Sequence, residues 1–387
     1  MDRPIYLDYN ATTPIAPEVF AAMRPYLEEQ FGNPSSSHAY GTTAYDAIVQ
    51  ARAELASLLE CQPQQIVFTG AGSEANNLAI KGVAFAQRER GDHLITSAVE
   101  HPAVLNTCQY LVRRFGFRLT ILPVDGTGQV DPADVERAIG PGTVLITIMH
   151  ANNEVGTIQP IADIAEIARR RGVTFHTDAA QSVGKIASRV DELGVDLLTV
   201  VGHKMYAPKG IGALYVRPGT LLDSLVHGAG HEGGLRAGTE NVPYIVALGK
   251  AATLAAERLA AGGPTRTEAL RDRLHHALQA TVPGLALNGH PVRRLPNTLN
   301  VSFPGLDGEE LLARTPLVAA STGSACHASR TEPSGVLMAM GIERDRALGA
   351  VRLSVGHPTT DADVDAAAAA LAESARQLAT VSPGAAL

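Results

Sequence analysis

The chain has 387 residues, with 32 Lys or Arg against 39 Asp or Glu and a formal net charge of -7. That length exceeds what one core usually supports and favours two domains, while the acidic balance and the lack of a concentrated basic stripe argue against a direct nucleic-acid partner. No basic region followed by an apolar signal stretch opens the chain, no later run has the length of a membrane span, and Cys61, Cys108 and Cys326 form no CxxC pair, so the expectation is a soluble cytoplasmic protein with no membrane partner and no metal.

From about Pro17 to Ala255, strand-like apolar runs alternate with amphipathic helical stretches, the pattern of a mostly parallel sheet covered by helices on both faces. Strands are predicted at 65–68, 93–97, 118–122, 144–149, 173–177, 197–201 and 212–216. The first leads into Thr69-Gly-Ala-Gly-Ser-Glu74 and a predicted helix over 75–85. A glycine turn that delivers the backbone N–H groups of Gly72 and Ser73 at a helix N-terminus is an anion site suited to a phosphate. The same stretch also matches the G-x-G-x-x-A dinucleotide fingerprint, with Glu100 where a ribose-binding acid would stand. A nicotinamide oxidoreductase is therefore a rival reading, although it leaves Asp178 and Lys204 without a role.

The second strand leads to His101, near the carboxyl edge where ligands of open α/β sheets collect, and an imidazole there suits ring stacking and proton relay. Asn152-Asn-Glu154 follows the fourth strand and Gln181 follows the fifth, adding polar groups suited to a phenolic oxygen and a substrate carboxylate. The fifth strand ends in Asp178, the carboxylate that a protonated pyridine nitrogen needs in a pyridoxal phosphate (PLP) site. The sixth ends just before Gly202-His203-Lys204, where a partly desolvated amine can lose its proton and form a Schiff base.

The alternation pauses at Ala261-Gly-Gly-Pro264. Beyond it a helix near Thr267, strands at 298–303, 318–320 and 350–354, a loop at 321–333 and an alanine-rich final helix suggest a smaller α+β domain, with 382–387 as a frayed tail. The predicted division is residues 1–15 as an arm joining the small domain, 16–260 as the large domain and 261–387 as the small domain carrying the Cys326 loop. That loop, Ser321-Thr-Gly-Ser-Ala-Cys-His-Ala-Ser329, is rich in small residues, unlike the setting of a core cysteine. An accessible thiol in such a loop is a nucleophile once ionised, with His327 beside it. Arg352, on the last strand, is suited to clamp a carboxylate.

Together these residues resemble the cysteine desulfurase and selenocysteine lyase family of fold-type I PLP enzymes, along essentially the whole chain. The markers are Tyr6-Leu-Asp-Tyr-Asn-Ala-Thr-Thr-Pro14, Gly32-Asn-Pro34, Ala151-Asn-Asn-Glu-Val-Gly156, His176-Thr-Asp-Ala-Ala-Gln181, Gly202-His-Lys204, Arg236-Ala-Gly-Thr-Glu-Asn241 and Gly323-Ser-Ala-Cys326. The resemblance implies an α/β fold with a mostly parallel seven-stranded sheet. It implies that Lys204 holds PLP, Asp178 pairs with the ring nitrogen and His101 stacks over the ring. Gln181 and Asn153 would lie on the phenolic-oxygen side, and Gly72, Ser73 and His203 would hold the phosphate, joined by Thr239 from the other subunit of a homodimer. Arg352 and Asn153 would receive the carboxylate of L-cysteine or L-selenocysteine, and Cys326 would take the sulfur and pass it to an acceptor protein or small thiol.

Val201 departs from the desulfurase pattern, since many members have serine there to reach the phosphate. Val201-Gly-His-Lys204 and Ala325-Cys-His327 look like selenocysteine lyases, while Gly323-Ser-Ala-Cys326 keeps the form of iron-sulfur type desulfurases. The sequence ends soon after its predicted last helix, where some desulfurases have a longer tail that receives a scaffold protein, so the expectation is against dedicated iron-sulfur assembly. A PLP aminotransferase would share Lys204 and Asp178 but leave the Cys326 loop unexplained, and a non-catalytic sulfur-relay protein would not need the cofactor residues.

Overall fold

A computed structural model describes residues 3–323 and 332–381. Cys326 and His327, and the predicted tail, lie outside the described residues. The elements up to the fourth strand are β1 (Ile5–Tyr6), α1 (Pro17–Glu28), α2 (Ala39–Leu59), β2 (Ile66–Thr69), α3 (Gly72–Ala86), β3 (His93–Ser97), α4 (Pro102–Phe115) and β4 (Arg118–Leu122). Next come α5 (Pro132–Ala138), β5 (Thr143–Thr147), α6 (Ile161–Arg171), β6 (Thr174–Asp178), α7 (Val190–Leu193), β7 (Leu197–Val201), β8 (Gly212–Val216) and α8 (Val242–Ala260). The remainder comprises α9 (Gly263–Thr281), β9 (Ala286–Leu287), β10 (Thr298–Ser302), α10 (Gly308–Ala313), β11 (Val318–Ala319), α11 (Gly335–Ala339), α12 (Arg344–Leu348), β12 (Ala350–Ser354) and α13 (Asp361–Val381).

The seven strands of the main sheet lie in the order β2-β8-β7-β6-β5-β3-β4. Only β8 is antiparallel to its neighbours, so the sheet is mostly parallel, as the alternating pattern predicts. Helices cover both faces because successive strand residues point to opposite sides. Leu94 and Leu145 pack with Leu78, Val83 and Leu111 of α3 and α4. Their neighbours Ile95 and Ile146 pack instead with Leu55, Ile164 and Leu248 of α2, α6 and α8. The crossing of α8 over α2 is close: a Cβ at Gly249 would stand 2.6 Å from the Ala51 Cα, so only glycine fits there.

The strands predicted at 93–97, 118–122, 197–201 and 212–216 coincide with β3, β4, β7 and β8, and the edges of the other three in the main sheet shift by one or two residues. The strand expected at 144–149 stops at Thr147, and Met149 N–H donates to the Glu100 carboxylate rather than to a neighbouring strand. Helix α3 starts at Gly72 rather than Ala75, because the phosphate-type turn is already its first turn. Helix α9 starts at Gly263, with Pro264 in its first turn where a missing N–H costs nothing.

A second core holds Leu7, Leu270, Leu274, Leu299, Val301, Leu353 and Leu371. It lies on the antiparallel sheet β12-β10-β9, under α9 and α13. The start of the chain joins it: β1 pairs in parallel with β11, and Asp8 bridges to Ser354. Among the described residues no helix is long and apolar enough to cross a membrane.

Candidate active site

The carboxyl ends of β2, β5, β6 and β7 meet at one edge of the sheet, and the loops that follow them enclose a cavity of about 330 Å3. Gly72, Ser73, His101, Asn153, Asp178, Gln181, His203, Lys204 and Arg352 all line it. Thr239 does not; it is exposed in the segment preceding α8. Cys326 is outside the described residues.

Lys204 sits in a single 3-10 turn directly after β7. Its Nζ donates to the carbonyls of Asn10 at 2.6 Å and Ala11 at 2.7 Å. Desolvation, aided by the Arg352 charge and opposed by Asp8 and Asp178, pushes the amine down to about 8. A substantial neutral fraction therefore exists near neutral pH, which a carbonyl-capturing amine requires.

Across the cavity, Asp178 is nearly buried and held on both oxygens: Asn76 Nδ2 donates to one at 2.7 Å and the Ala180 N–H to the other at 2.9 Å. Asn76 Oδ1 is buried with no partner among the described residues. His101 caps α4 by accepting the Ala103 N–H at Nδ1, 3.1 Å, which leaves its neutral-form proton on Nε2. Desolvation lowers its pKa, with Asp178 opposing and Lys204 assisting. His203 faces Thr12 Oγ1 at 3.2 Å, and burial pushes it down to about 4.

The N-terminus of α3 forms the phosphate-type end of the cavity. A Cβ at Gly72 would fall 2.3 Å from Val201 Cγ2, so the backbone there is open only because residue 72 has no side chain. Val201 offers no hydroxyl at this place. At the other end, Arg352 donates to Asp8 Oδ1 at 2.7 Å, Ser321 Oγ at 3.2 Å and the Asn153 carbonyl at 3.1 Å. Its Nε is buried without a partner, a donor left over for an anion. Glu154, next in the asparagine motif, bonds Ser334, and burial pushes its carboxyl up to about 7. Asn152 is a loop brace instead of a ligand-facing group, since its side chain is used by Val99, Glu154 and Val155 backbone.

Two residues that line the cavity, Asn76 and Asn10, and Lys185, which bonds Asn10 from outside it, are absent from the sequence-based set. Asn76 is detectable as an amide interrupting the small apolar face Ala75, Leu78, Ala79 of α3. Asn10 lies in a motif at the start of the chain, far in sequence from everything it touches. Lys185 reads as an ordinary turn lysine after Gly184.

The sequence profile of the family described as aminotransferase class-V matches residues 5–367. The chain belongs to this family. Among its class-V relatives, it is 47% identical over 385 residues to the cysteine desulfurase IscS of Dictyoglomus turgidum, covering 99% of this chain and 97% of that protein. Identity is also 47%, over 384 residues, to the cysteine desulfurase IscS of Methanosarcina thermophila, covering 99% and 94%. A solved NifS-like protein matches with a TM-score of 0.89 at 36% identity, over 97% of this chain and 100% of that one. A structure described as SspA in complex with cysteine matches with a TM-score of 0.79 at 42% identity, over 90% and 98%. The architecture is thus fold-type I.

Class-V aminotransferases use PLP, and the cavity suits it. It places an amine of lowered pKa, a carboxylate pinned on both oxygens and a glycine-cleared helix N-terminus around one space, together with the unpartnered Arg352 Nε. These are the donors and acceptors that a carbonyl, a pyridine nitrogen, a phosphate and a substrate carboxylate call for.

Proposed function

We propose that the protein is a PLP-dependent cysteine desulfurase that converts L-cysteine to L-alanine and transfers the sulfur to Cys326. The observation that carries this reading is Lys204: an amine with a lowered pKa, held on two backbone carbonyls opposite a pinned Asp178 in one cavity. Full-length similarity to cysteine desulfurases, and to a structure described as holding cysteine, supports the substrate.

Bound PLP supplies an electron sink for bonds at the substrate α-carbon. Lys204 would hold its carbonyl carbon and, once released by substrate, move the α-proton with Nζ. Asp178 would keep the ring nitrogen protonated, because Asn76 and the Ala180 N–H fix its carboxylate in place. His101 would stack over the ring, Gln181 and Asn153 would stand on the phenolic-oxygen side, and Gly72, Ser73 and His203 would hold the phosphate. Arg352 would receive the substrate carboxylate through its spare N–H groups, together with Asn153.

Cys326 supplies the nucleophile. Its thiolate attacks the substrate sulfur, a sulfur–sulfur bond forms, the carbon–sulfur bond breaks, and the carbon takes a proton to become alanine. The thiolate of a sulfur-acceptor protein or small thiol in the cytoplasm then attacks the outer sulfur, a new sulfur–sulfur bond forms on the acceptor, and the Cys326 thiolate leaves. A homodimer, with Thr239 of one subunit near the phosphate of the other, fits the exposure of Thr239. It also fits the solvent-facing apolar side chains of Phe20, Leu27, Phe31 and Tyr40 around α1 and α2.

The selenocysteine alternative rests on Val201 and His327. Selenol is more acidic than thiol and its bond to carbon is weaker, so selenium release needs no protein nucleophile. Cys326→Ala should abolish alanine formation from cysteine while leaving measurable formation from selenocysteine, and Lys204→Ala should abolish both. Unchanged cysteine turnover in Cys326→Ala would remove this thiol from the mechanism and favour an aminotransferase or another PLP lyase.

A further inference from the structure

Lys185 is a half-buried lysine with no carboxylate partner among the described residues. Its Nζ donates to Gln181 Oε1 at 2.7 Å and to Asn10 Oδ1 at 3.0 Å. The charged groups whose fields reach it are Lys204 and Arg352, both cations, and desolvation is the larger influence; all three push its pKa well below that of an ordinary lysine. A lysine in such a place needs a reason, since arginines and lysines are rarely enclosed without an acid.

The chemistry of its two acceptors supplies one. Lys185 Nζ donates to two amide oxygens, and a backbone carbonyl only accepts. Gln181 is caught between the two: Oε1 faces Lys185, and Nε2 donates to the Asn10 carbonyl at 2.9 Å. Its amide therefore has a single permitted orientation, and the second N–H of Nε2 has no partner among the described residues. Asn10 is held with equal completeness. Its Oδ1 accepts from Lys185 and Asn297, its Nδ2 donates to Thr298 and the Asn153 carbonyl, and its own carbonyl takes both Gln181 and Lys204. Two amines thus hang on one residue, Lys204 on its carbonyl and Lys185 on its side chain.

We propose that Lys185 is a positioning residue: by donating to Gln181 Oε1 and Asn10 Oδ1 it locks the Gln181 amide so that an N–H, never the oxygen, is offered to the ligand in the cavity. The inference rests on the PLP reading. An N–H presented to the phenolic oxygen stabilises negative charge there and opposes retention of the neighbouring proton. Lys185 acts on the cofactor through Gln181 and touches neither cofactor nor substrate.

The test is a double-mutant cycle on the PLP-loaded protein, read as the pH midpoint of the visible cofactor band and as the rate of PLP loss. Lys185→Met should raise the midpoint by about half a unit to one unit, the scale of one hydrogen bond to a charged group, and speed PLP loss. Gln181→Leu should raise it similarly, and adding Lys185→Met to Gln181→Leu should change little further. Lys185→Ala serves in the same cycle should the Met chain fold poorly. Equal shifts from Lys185→Met in both backgrounds would show that the lysine acts as a charge or a packing element and would overturn the proposal, as would no shift at all. A wild-type protein without a visible cofactor band would overturn the PLP reading itself and this inference with it.

Discussion

At the scale of single residues, the site depends on what stands next to each reacting group. The Val201 methyl lies against Gly72, where a hydroxyl would add one more donor to the helix N-terminus. Val201→Ser should slow PLP loss modestly, with about 1.5 to 3 kcal/mol as the ceiling for a hydrogen bond to a charged group. Dialysis followed by absorbance measures this directly, and equal rates of loss would mean that the backbone donors of Gly72 and Ser73 already satisfy the phosphate. Several residues legible in the sequence close a strand, follow one directly or open a helix, so position along the chain announces position at the sheet edge. Asp178 ends β6, Gly72 opens α3 and Lys204 follows β7 directly. Asn10 and Asn76 gained no role from the sequence because the partners that define it stand as far as 344 and 102 residues away in the chain, and Lys185 because only Gln181, of its two partners, is local while Asn10 is 175 residues away.

At the scale of elements, β-branched and leucine-rich runs made every strand of the main sheet readable, whereas β1 and β9, two residues each, carry no period to read. Tertiary fasteners between elements were equally invisible. Arg52 on α2 grips Glu232 with two 2.7 Å bonds, donates to the Ile66 carbonyl and lies 4.6 Å over the Phe68 ring, while Phe68 N–H donates to the same carboxylate. The Glu232 side chain is only 3% exposed. Arg52→Ala should therefore destabilise the fold by about 3 to 5 kcal/mol, because it strands an enclosed carboxylate rather than merely deleting a contact. Arg52→Lys should recover only part, since an ammonium cannot make the paired geometry. Urea denaturation of the two variants decides it, and a loss under about 1 kcal/mol for Arg52→Ala would class the pair with surface salt bridges.

For the whole molecule, enclosed titratable groups set how stability follows pH. Burial pushes His150 and His203 down to about 4 and His176 to about 3. Their unfolded counterparts take a proton below about 6.5, so the stability they contribute is complete above that pH and is lost as pH falls towards the folded values. Glu100 and Glu154 behave oppositely: burial pushes them up to about 8 and about 7, so their contribution is complete at low pH and is lost as pH rises through those values. Three histidines against two glutamates give a rise towards about 6.5; above it the glutamates lower stability and are opposed by Lys204, held at about 8, and by Lys185, so the unfolding temperature should stop rising near pH 6.5. Thermal melts across that range would refute this balance if stability climbed steadily instead. The Asn10 knot also has a consequence in time. Its backbone N–H donates to Ser354 Oγ, and its amide reaches Asn297 and Thr298, while its carbonyl holds Lys204. During synthesis the lysine leaves the ribosome some 150 residues before Ser354, a gap read from their positions in the chain. The nascent enzyme therefore carries its reactive amine without the scaffold that orients it, and acquires catalytic competence only when its opening segment finds its closing strand.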